Sequence, residues 1–247
     1  SMSASGELPR CLESLRCVRG LGHIIVLVIA EPAIENKAAS KIRAVAEQFP
    51  DLNIAVVGAP EMALVRQRME QLNIGLRNEV GLAGYGAMRN LGLLLAGALD
   101  FDSVVFVDDD VVIDDPAFLE KASRSTKWYN RYWDQATAFN KWISKAMKGP
   151  RLSRSNHVCG GCLALHREAF RRVSFDPWIA RGEDLDYMLD LRMYGSDIWF
   201  DNTWYMHHLP PETKREGLRF RQDIFRWLYE YRKVEYGRTQ IDLLQIK

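Results

Sequence analysis

Three consecutive carboxylates, Asp108-Asp109-Asp110, stand directly behind the apolar run Ser103-Val104-Val105-Phe106-Val107. A short run rich in β-branched residues reads as a buried strand, and ionised carboxylates at its end are costly without a partner. The partner that suits them is a hard divalent cation, which takes oxygen ligands. Ligands of open α/β sheets collect beyond the carboxyl ends of strands. The triplet therefore predicts a cation set against phosphate.

Two further groups could join it. Gly182-Glu183-Asp184 places two acids at a helix start, close behind Trp178 and Arg181. Helix capping alone accounts for acids there, because the helix dipole favours them; a base or binding role is the sharper reading. His207-His208 precedes Leu209-Pro210 and follows a short strand pattern. A neutral imidazole is a good metal ligand, and strand neighbours point to opposite faces, so only one of the two is expected to reach a metal.

The elements that must hold these residues follow from apolar periodicity. A short helix over Leu8–Val18 precedes strand Ile24–Ala30, helix Lys37–Phe49, strand Leu52–Val57 and helix Glu61–Leu72. Met88, Leu91, Leu94, Leu95 and Ala98 stripe an amphipathic helix that leads into the strand ending at the triplet. Pro116 opens another helix. Val158–Leu165 reads as a strand, Arg167–Arg172 as a short helix and Glu183–Tyr194 as a helix stopped by Gly195. Asp197–Phe200 and Thr203–Met206 read as short strands, and Arg215–Tyr236 as a final helix. Alternating strands and helices imply an α/β fold with a mainly parallel central sheet flanked by helices. The expected division is an N-terminal lead with its short helix (1–22), one catalytic domain (23–213) and a C-terminal helical extension (214–247).

With 247 residues, 47% of them hydrophobic and 26% charged, the chain is sized for one large domain. Its longest apolar run, Ile24–Ala30, is too short to span a membrane. A net charge of +1 makes no case for nucleic acid as a partner. The charge is unevenly placed, however. Lys121–Arg154 holds nine basic residues and one acid, Asp134, making it +8 and leaving −7 for the rest of the chain. Trp128, Tyr129, Tyr132, Trp133, Phe139 and Trp142 fall in the same segment. It reads either as a solvated helical face or as a basic, aromatic wall for an anionic or sugar-bearing acceptor, a membrane surface or a second copy. The C-terminal helix offers a similar face for a dimer or for anionic lipid. Cys11, Cys17, Cys159 and Cys162 read as structural thiols, which fits a reducing compartment and a cytoplasmic or peripheral-membrane address. Ser1–Gly6 reads as a disordered lead, behind which a targeting segment could have been lost.

The order of these pieces resembles the GT-A glycosyltransferases, in particular the broad family-2 type, from about Gly84 to His208. Gly86-Ala87-Met88-Arg89-Asn90-Leu91-Gly92 resembles that family's helix after the nucleotide loop, and Phe106-Val107-Asp108-Asp109-Asp110 its DxD strand end. The run from Gly160-Gly161-Cys162 to Phe170 is similar to the strand and turn beneath the donor sugar. Gly182-Glu183-Asp184 resembles the acceptor-side ED motif, and Tyr205-Met206-His207-His208 the terminal metal-binding histidine.

The resemblance implies a metal-dependent transferase that uses Mn2+ or Mg2+ and a nucleoside-diphosphate sugar of UDP or GDP type. In it Asp110 and either His207 or His208 would ligate the metal. Asp108, Asp109, Gly161 and Arg89 would face the donor, with Ala30 and Glu31 on its nucleotide. Trp178 and Glu183 would position a glycan, lipid-linked or small-molecule acceptor, with Asp184 as base in an inverting reaction; a retaining one stays open. Two departures stand out. Ile29-Ala30-Glu31-Pro32 replaces the family's Pro-x-Tyr-Asn-Glu, and Val57-Gly58-Ala59-Pro60 lacks its Asp-Asp-Gly-Ser. Asp108-x-Asp110-x-Val112 also fits the first motif of haloacid-dehalogenase phosphatases, with Asp108 as nucleophile. A third reading is a GT-A-like domain that binds nucleotide or glycan without catalysis.

Overall fold

A computed structural model describes residues 7–75, 78–125, 144–155, 161–208 and 216–237. Helix α1 (Leu8–Leu15) begins with Pro9 in its first turn, where a missing N–H costs nothing. Its buried Leu8 and Leu12 pack with Val45 and Phe49, so the expected lead contributes to a core cluster. Strands β1 (Ile24–Leu27) and β2 (Ile54–Val57) pair in parallel, with helix α2 (Glu35–Ala46) as the crossover. Helix α3 (Ala59–Gln71) starts at Gly58, whose N–H donates to Glu61 at 2.8 Å. The same Glu61 accepts Arg43 of α2 at 2.6 Å.

Helix α4 (Tyr85–Ala98) lies on strand β3 (Ser103–Val107). They approach so closely that a Cβ on Gly92 would sit 2.8 Å from the Phe106 ring, which is why this position lacks a side chain. Strand β4 (Val111–Val112), helix α5 (Phe118–Ser125), strands β5 (Leu152–Arg154) and β6 (Cys162–His166), and helices α6 (Arg167–Phe170) and α7 (Glu183–Met193) follow. Strands β7 (Trp199–Asp201) and β8 (His207–His208) and helix α8 (Glu216–Gly237) complete the described chain. The middle of the basic aromatic segment, residues 126–143, lies outside the described residues, as do Cys159, Gly160, Pro210-Pro211 and the terminal 238–247.

The architecture is α/β, but the expected mainly parallel sheet is corrected. Among the described residues only β1 and β2 are parallel; β3–β6, β4–β8 and β5–β7 are antiparallel pairs. The strand–helix alternation that forces parallel pairing runs only as far as β3. Beyond it the strands pair with partners distant in the chain, β3 with β6 and β4 with β8, on segments that return in the opposite direction. A second correction concerns the histidines. Thr203–Met206 forms turn and coil, with Trp204 and Met206 buried, and His207-His208 is itself the strand.

The β3–β6 ribbon is buried on both faces. Val104, Phe106, Leu163 and Leu165 face one cluster with Phe175, Tyr187 and Met188, while Val105, Val107, Cys162 and Ala164 face another with Val111, Phe118 and Trp204. Two-sided burial explains why the sequence before the triplet is unbroken apolar rather than alternating.

Helix α8 covers α7. Lys233 Nζ donates to both carboxylate oxygens of Asp186 and to Asp190, each at 2.8 Å, and Val234 enters the main core. Among the described residues no helix is long and apolar enough to cross a membrane. Burial pushes the Glu230 carboxyl from 4.5 up to about 8 against the opposing pull of Arg226. Burial likewise raises Asp186 from 3.8 to about 6 despite Lys233. A carboxyl whose folded pKa is raised binds its proton more tightly in the native state. The unfolded chain then carries fewer protons at these sites between their unfolded and folded values, and stability falls as pH rises through that window. For Glu230 the fall runs from about pH 4.5 to about 8 and then stops. The Glu230→Gln variant is expected to melt with a shallower decline between pH 5 and 8 than the parent. Equal slopes in a pH series of thermal melts would refute the buried acid.

Candidate active site

Strand β3 ends where Val107 pairs with Cys162, so Gly161 lies one step beyond that pair, beside Asp108. The chain turns through Asp108-Asp109-Asp110 and continues as β4, where Val111 pairs with His208 and Val112 with His207. A turn of three acids and a pair of histidines nearly a hundred residues later are thereby joined in one ribbon. Helix α1 supports it from behind: Ser14 Oγ accepts the Ile113 N–H at 3.1 Å, and buried Cys11 lies with its Sγ 4.0 Å from the Asp108 carbonyl.

The turn concentrates negative charge. Asp108 and Asp109 are exposed, and Asp110 is half-buried with its Oδ1 out of solvent. Partial burial, and then the neighbouring Asp110, hold the Asp109 carboxyl above its ordinary value. Burial and the same three acids push the Cys11 thiol up to about 12, so it stays an inert, protonated thiol.

These residues fit a hard divalent cation in one particular way. Among the described residues no group of three His, Cys, Asp or Glu side chains closes into a metal cage. Mg2+-like ions do not need one, since they are held by one or two carboxylates and completed by substrate phosphates and water. The crowded carboxylates have the oxygen chemistry for that arrangement. His207 has another partner, with Nε2 3.2 Å from Asp114 Oδ2 and its ring edge-on to Tyr205. His208 occupies the register position opposite Val111, next to Asp110. Ala30 and Glu31 lie just past β1, and Glu31 opens a turn closed by the Ile34 N–H donating to its carbonyl at 2.9 Å.

The surroundings of Glu183 and Asp184 are assembled by α4. Arg89 and Glu183 form an ion pair and are 4% and 5% exposed, so both face the interior rather than a crevice. Arg89 also lies over the Phe175 ring, 5.5 Å from its centroid. Asn90 donates to the carbonyls of Phe175 and Glu79 at 2.8 and 2.9 Å and accepts the Phe175 N–H at 2.8 Å. Phe175 in turn stacks on Tyr187 and meets Phe106 edge-on. This aromatic column connects the strand beneath the triplet with the helix carrying Asp184. Gly182, at φ +83°, caps α7 in the left-handed conformation with Arg226 packed against it. Asp184 is half-buried and accepts the Leu185 N–H at 2.8 Å, while Trp178 is exposed on the preceding loop.

Gly86 marks the closest approach. A Cβ there would lie 2.3 Å from the Asp176 carbonyl oxygen and 3.1 Å from Pro177 Cα, both backbone atoms that cannot swing aside. Gly86→Ala is expected to lose about 1–3 kcal/mol through overpacking. Denaturant unfolding measures it, and a change below about 0.5 kcal/mol, typical of open surface, would contradict the contact.

The fold thus joins the acid turn with the histidines and Gly161 in neighbouring strands, and separately pairs Arg89 with Glu183, the residue before Asp184, while Trp178 lies on the loop held by Asp176. Sequence reasoning gave no role to Asn90, Phe175, Asp176 or Tyr229. Asn90 alone was detectable, as an amide beside Arg89 in a mostly apolar helix.

No protein-family model matches the chain, and none of the curated proteins matches its sequence. In three dimensions it is similar to a mannosyltransferase from Pyrobaculum calidifontis solved in complex with GDP-Man and Mn2+. The TM-score is 0.53 at 16% identity, covering 95% of this chain and 74% of that one. At this identity the likeness concerns architecture alone: the chain shares the α/β fold of that structure.

Proposed function

We propose that this protein moves a sugar from a nucleoside diphosphate to an acceptor hydroxyl, with the acid turn on the donor side. The observation that supports the reading is the β4–β8 pairing, which puts His208 opposite Val111, the residue after Asp110, in a chain whose fold is similar to that of a mannosyltransferase. Asp110 and one of His207 and His208 would hold Mn2+ or Mg2+; His207 also meets Asp114. When bound, the cation neutralises charge on the leaving diphosphate as a Lewis acid. Asp108 and Asp109 would face the ribose and the diphosphate side of the donor, Gly161 would leave room for the donor sugar, and Ala30 and Glu31 would border the base.

On the acceptor side Trp178 offers its indole face to a sugar ring. Asp184 takes the proton of the acceptor hydroxyl as its oxygen bonds to the anomeric carbon and the bond to diphosphate breaks, inverting that carbon. Arg89 and Glu183 act as internal supports that fix the start of α7 rather than as ligand contacts. The acceptor is a glycan, a lipid-linked sugar or a small hydroxyl compound.

Thermal melts with GDP-mannose or UDP-glucose, each with and without Mn2+, test the donor side. At a hundredfold excess over Kd a specific donor stabilises by about 2.7 kcal/mol, roughly 5–10 °C for a chain of this size. The shift should require metal and nucleotide sugar together. Flat melts with both donors, alongside Mg2+-dependent hydrolysis of a simple phosphomonoester, would replace this reading with the phosphatase one.

A further inference from the structure

Asp176 is placed between two elements that the proposed chemistry does not itself connect. Its Oδ1 accepts the Trp178 N–H at 2.8 Å, closing a turn over Pro177. Its Oδ2 accepts the hydroxyl of Tyr229, which comes from α8 some fifty residues later. Its carbonyl is pressed against Gly86 at the start of α4. The backbone of this loop is therefore clamped on one side, and its side-chain cap is held from the other. Burial and the neighbouring Asp176 push the Tyr229 phenol above its ordinary value, so it remains a donor at all ordinary pH.

We propose that Tyr229 is a positioning residue for Trp178: by holding Oδ2 of Asp176 it keeps Oδ1 on the Trp178 amide, so that helix α8 sets the direction of the exposed indole. An Asp side chain before proline has solvent as an alternative to capping the amide two residues on. The Tyr229 hydroxyl removes that alternative. Trp178 is 65% exposed, so little else restrains its ring. The inference rests on the acceptor reading of Trp178 for its functional meaning, since a fixed aromatic face selects ring-shaped, CH-rich acceptors.

The experiment is 19F NMR of the full chain labelled with 5-fluorotryptophan, without any ligand. One of seven tryptophan signals is assigned to Trp178 by its loss in Trp178→Phe. Tyr229→Phe is expected to shift that signal, whereas Tyr231→Phe, exposed on the same helix, leaves it in place. Asp176→Ala should shift it to the same extent, with no further change when Tyr229→Phe is added. Asp176→Asn keeps an acceptor for the amide and a donor for the tyrosine oxygen, and should restore the parent position. A Trp178 signal unmoved in Tyr229→Phe, or moved again when Tyr229→Phe is added to Asp176→Ala, overturns the proposal. Should Tyr229→Phe fail to fold, Tyr229→Gln, which keeps a donor for Asp176, and Tyr229→Leu, which has none, carry the same comparison: a Trp178 signal equally placed in both overturns the proposal. Because no nucleotide sugar is present, failure of the transferase reading would appear separately, in the donor melts.

Discussion

Asp110→Asn should lower metal-dependent sugar transfer by roughly 10³-fold while leaving the ligand-free protein as stable as its parent or more so. The rate estimate follows from the several kcal/mol that a cation contributes against developing leaving-group charge, at about 1.4 kcal/mol per tenfold in rate. The stability side follows from the acid turn itself. Asp110 helps to hold the Asp109 carboxyl above its ordinary value, so removing its charge relieves repulsion between neighbours. Loss of the Mn2+-dependent melting shift with unchanged ligand-free melting would separate a binding defect from a folding one. Calorimetric titration of Mn2+ in the presence of GDP-mannose gives a second readout, independent of turnover. An Asp110→Asn protein that keeps the parent's Mn2+ affinity would remove this residue from the cation site.

Arg89→Met should lower the melting temperature by on the order of 10 °C. Both partners of the Arg89–Glu183 pair are almost fully enclosed. Taking away one partner of a buried pair leaves an uncompensated charge and costs about 3–5 kcal/mol, each worth about 2–4 °C in a chain of this length. The variant also forfeits the guanidinium lying over Phe175. Glu183→Gln added to Arg89→Met should return most of the loss, because the stranded charge is then gone. Thermal melts of the two singles and the double variant measure the coupling directly. If Arg89→Met melts within about 2 °C of the parent, the pair behaves as an exposed one worth under about 1 kcal/mol. Its role as the support beneath Asp184 would then fall.

Much of the first half of the fold was legible, because there apolar period and element type coincide. Ser103–Val107 is the strand expected from its β-branched run, and the helix expected over Met88–Ala98 is there as α4. Its buried face is not the expected stripe, however: Leu91 is buried, but Ala98 is exposed, and Arg89, Asn90, Leu93 and Ala96 are enclosed instead. The apolar run announced a buried strand, although not that both of its faces would be covered, nor by what. Pairing direction was not legible. Local periodicity says that a residue is in a strand, whereas direction depends on where the chain returns, and that is decided after long excursions such as the one between β4 and β8.

The site divides in the same way. The types and order of Asp108–Asp110, Glu183-Asp184 and His207-His208 could be read one after another, since charge at the edge of an apolar element always demands a partner. Which partner each would find could not. Arg89 has the chemistry for a diphosphate, yet it is buried against Glu183, a neighbour distant in sequence that shields it from solvent. His207 has the chemistry for a metal, yet Asp114 engages it. The sequence by itself determined which residues carry charge, which segments are apolar and therefore where elements form. Only the tertiary structure decided which charges meet, because ion pairs form between whichever groups packing brings within a few ångströms, and that distance is a property of the folded core.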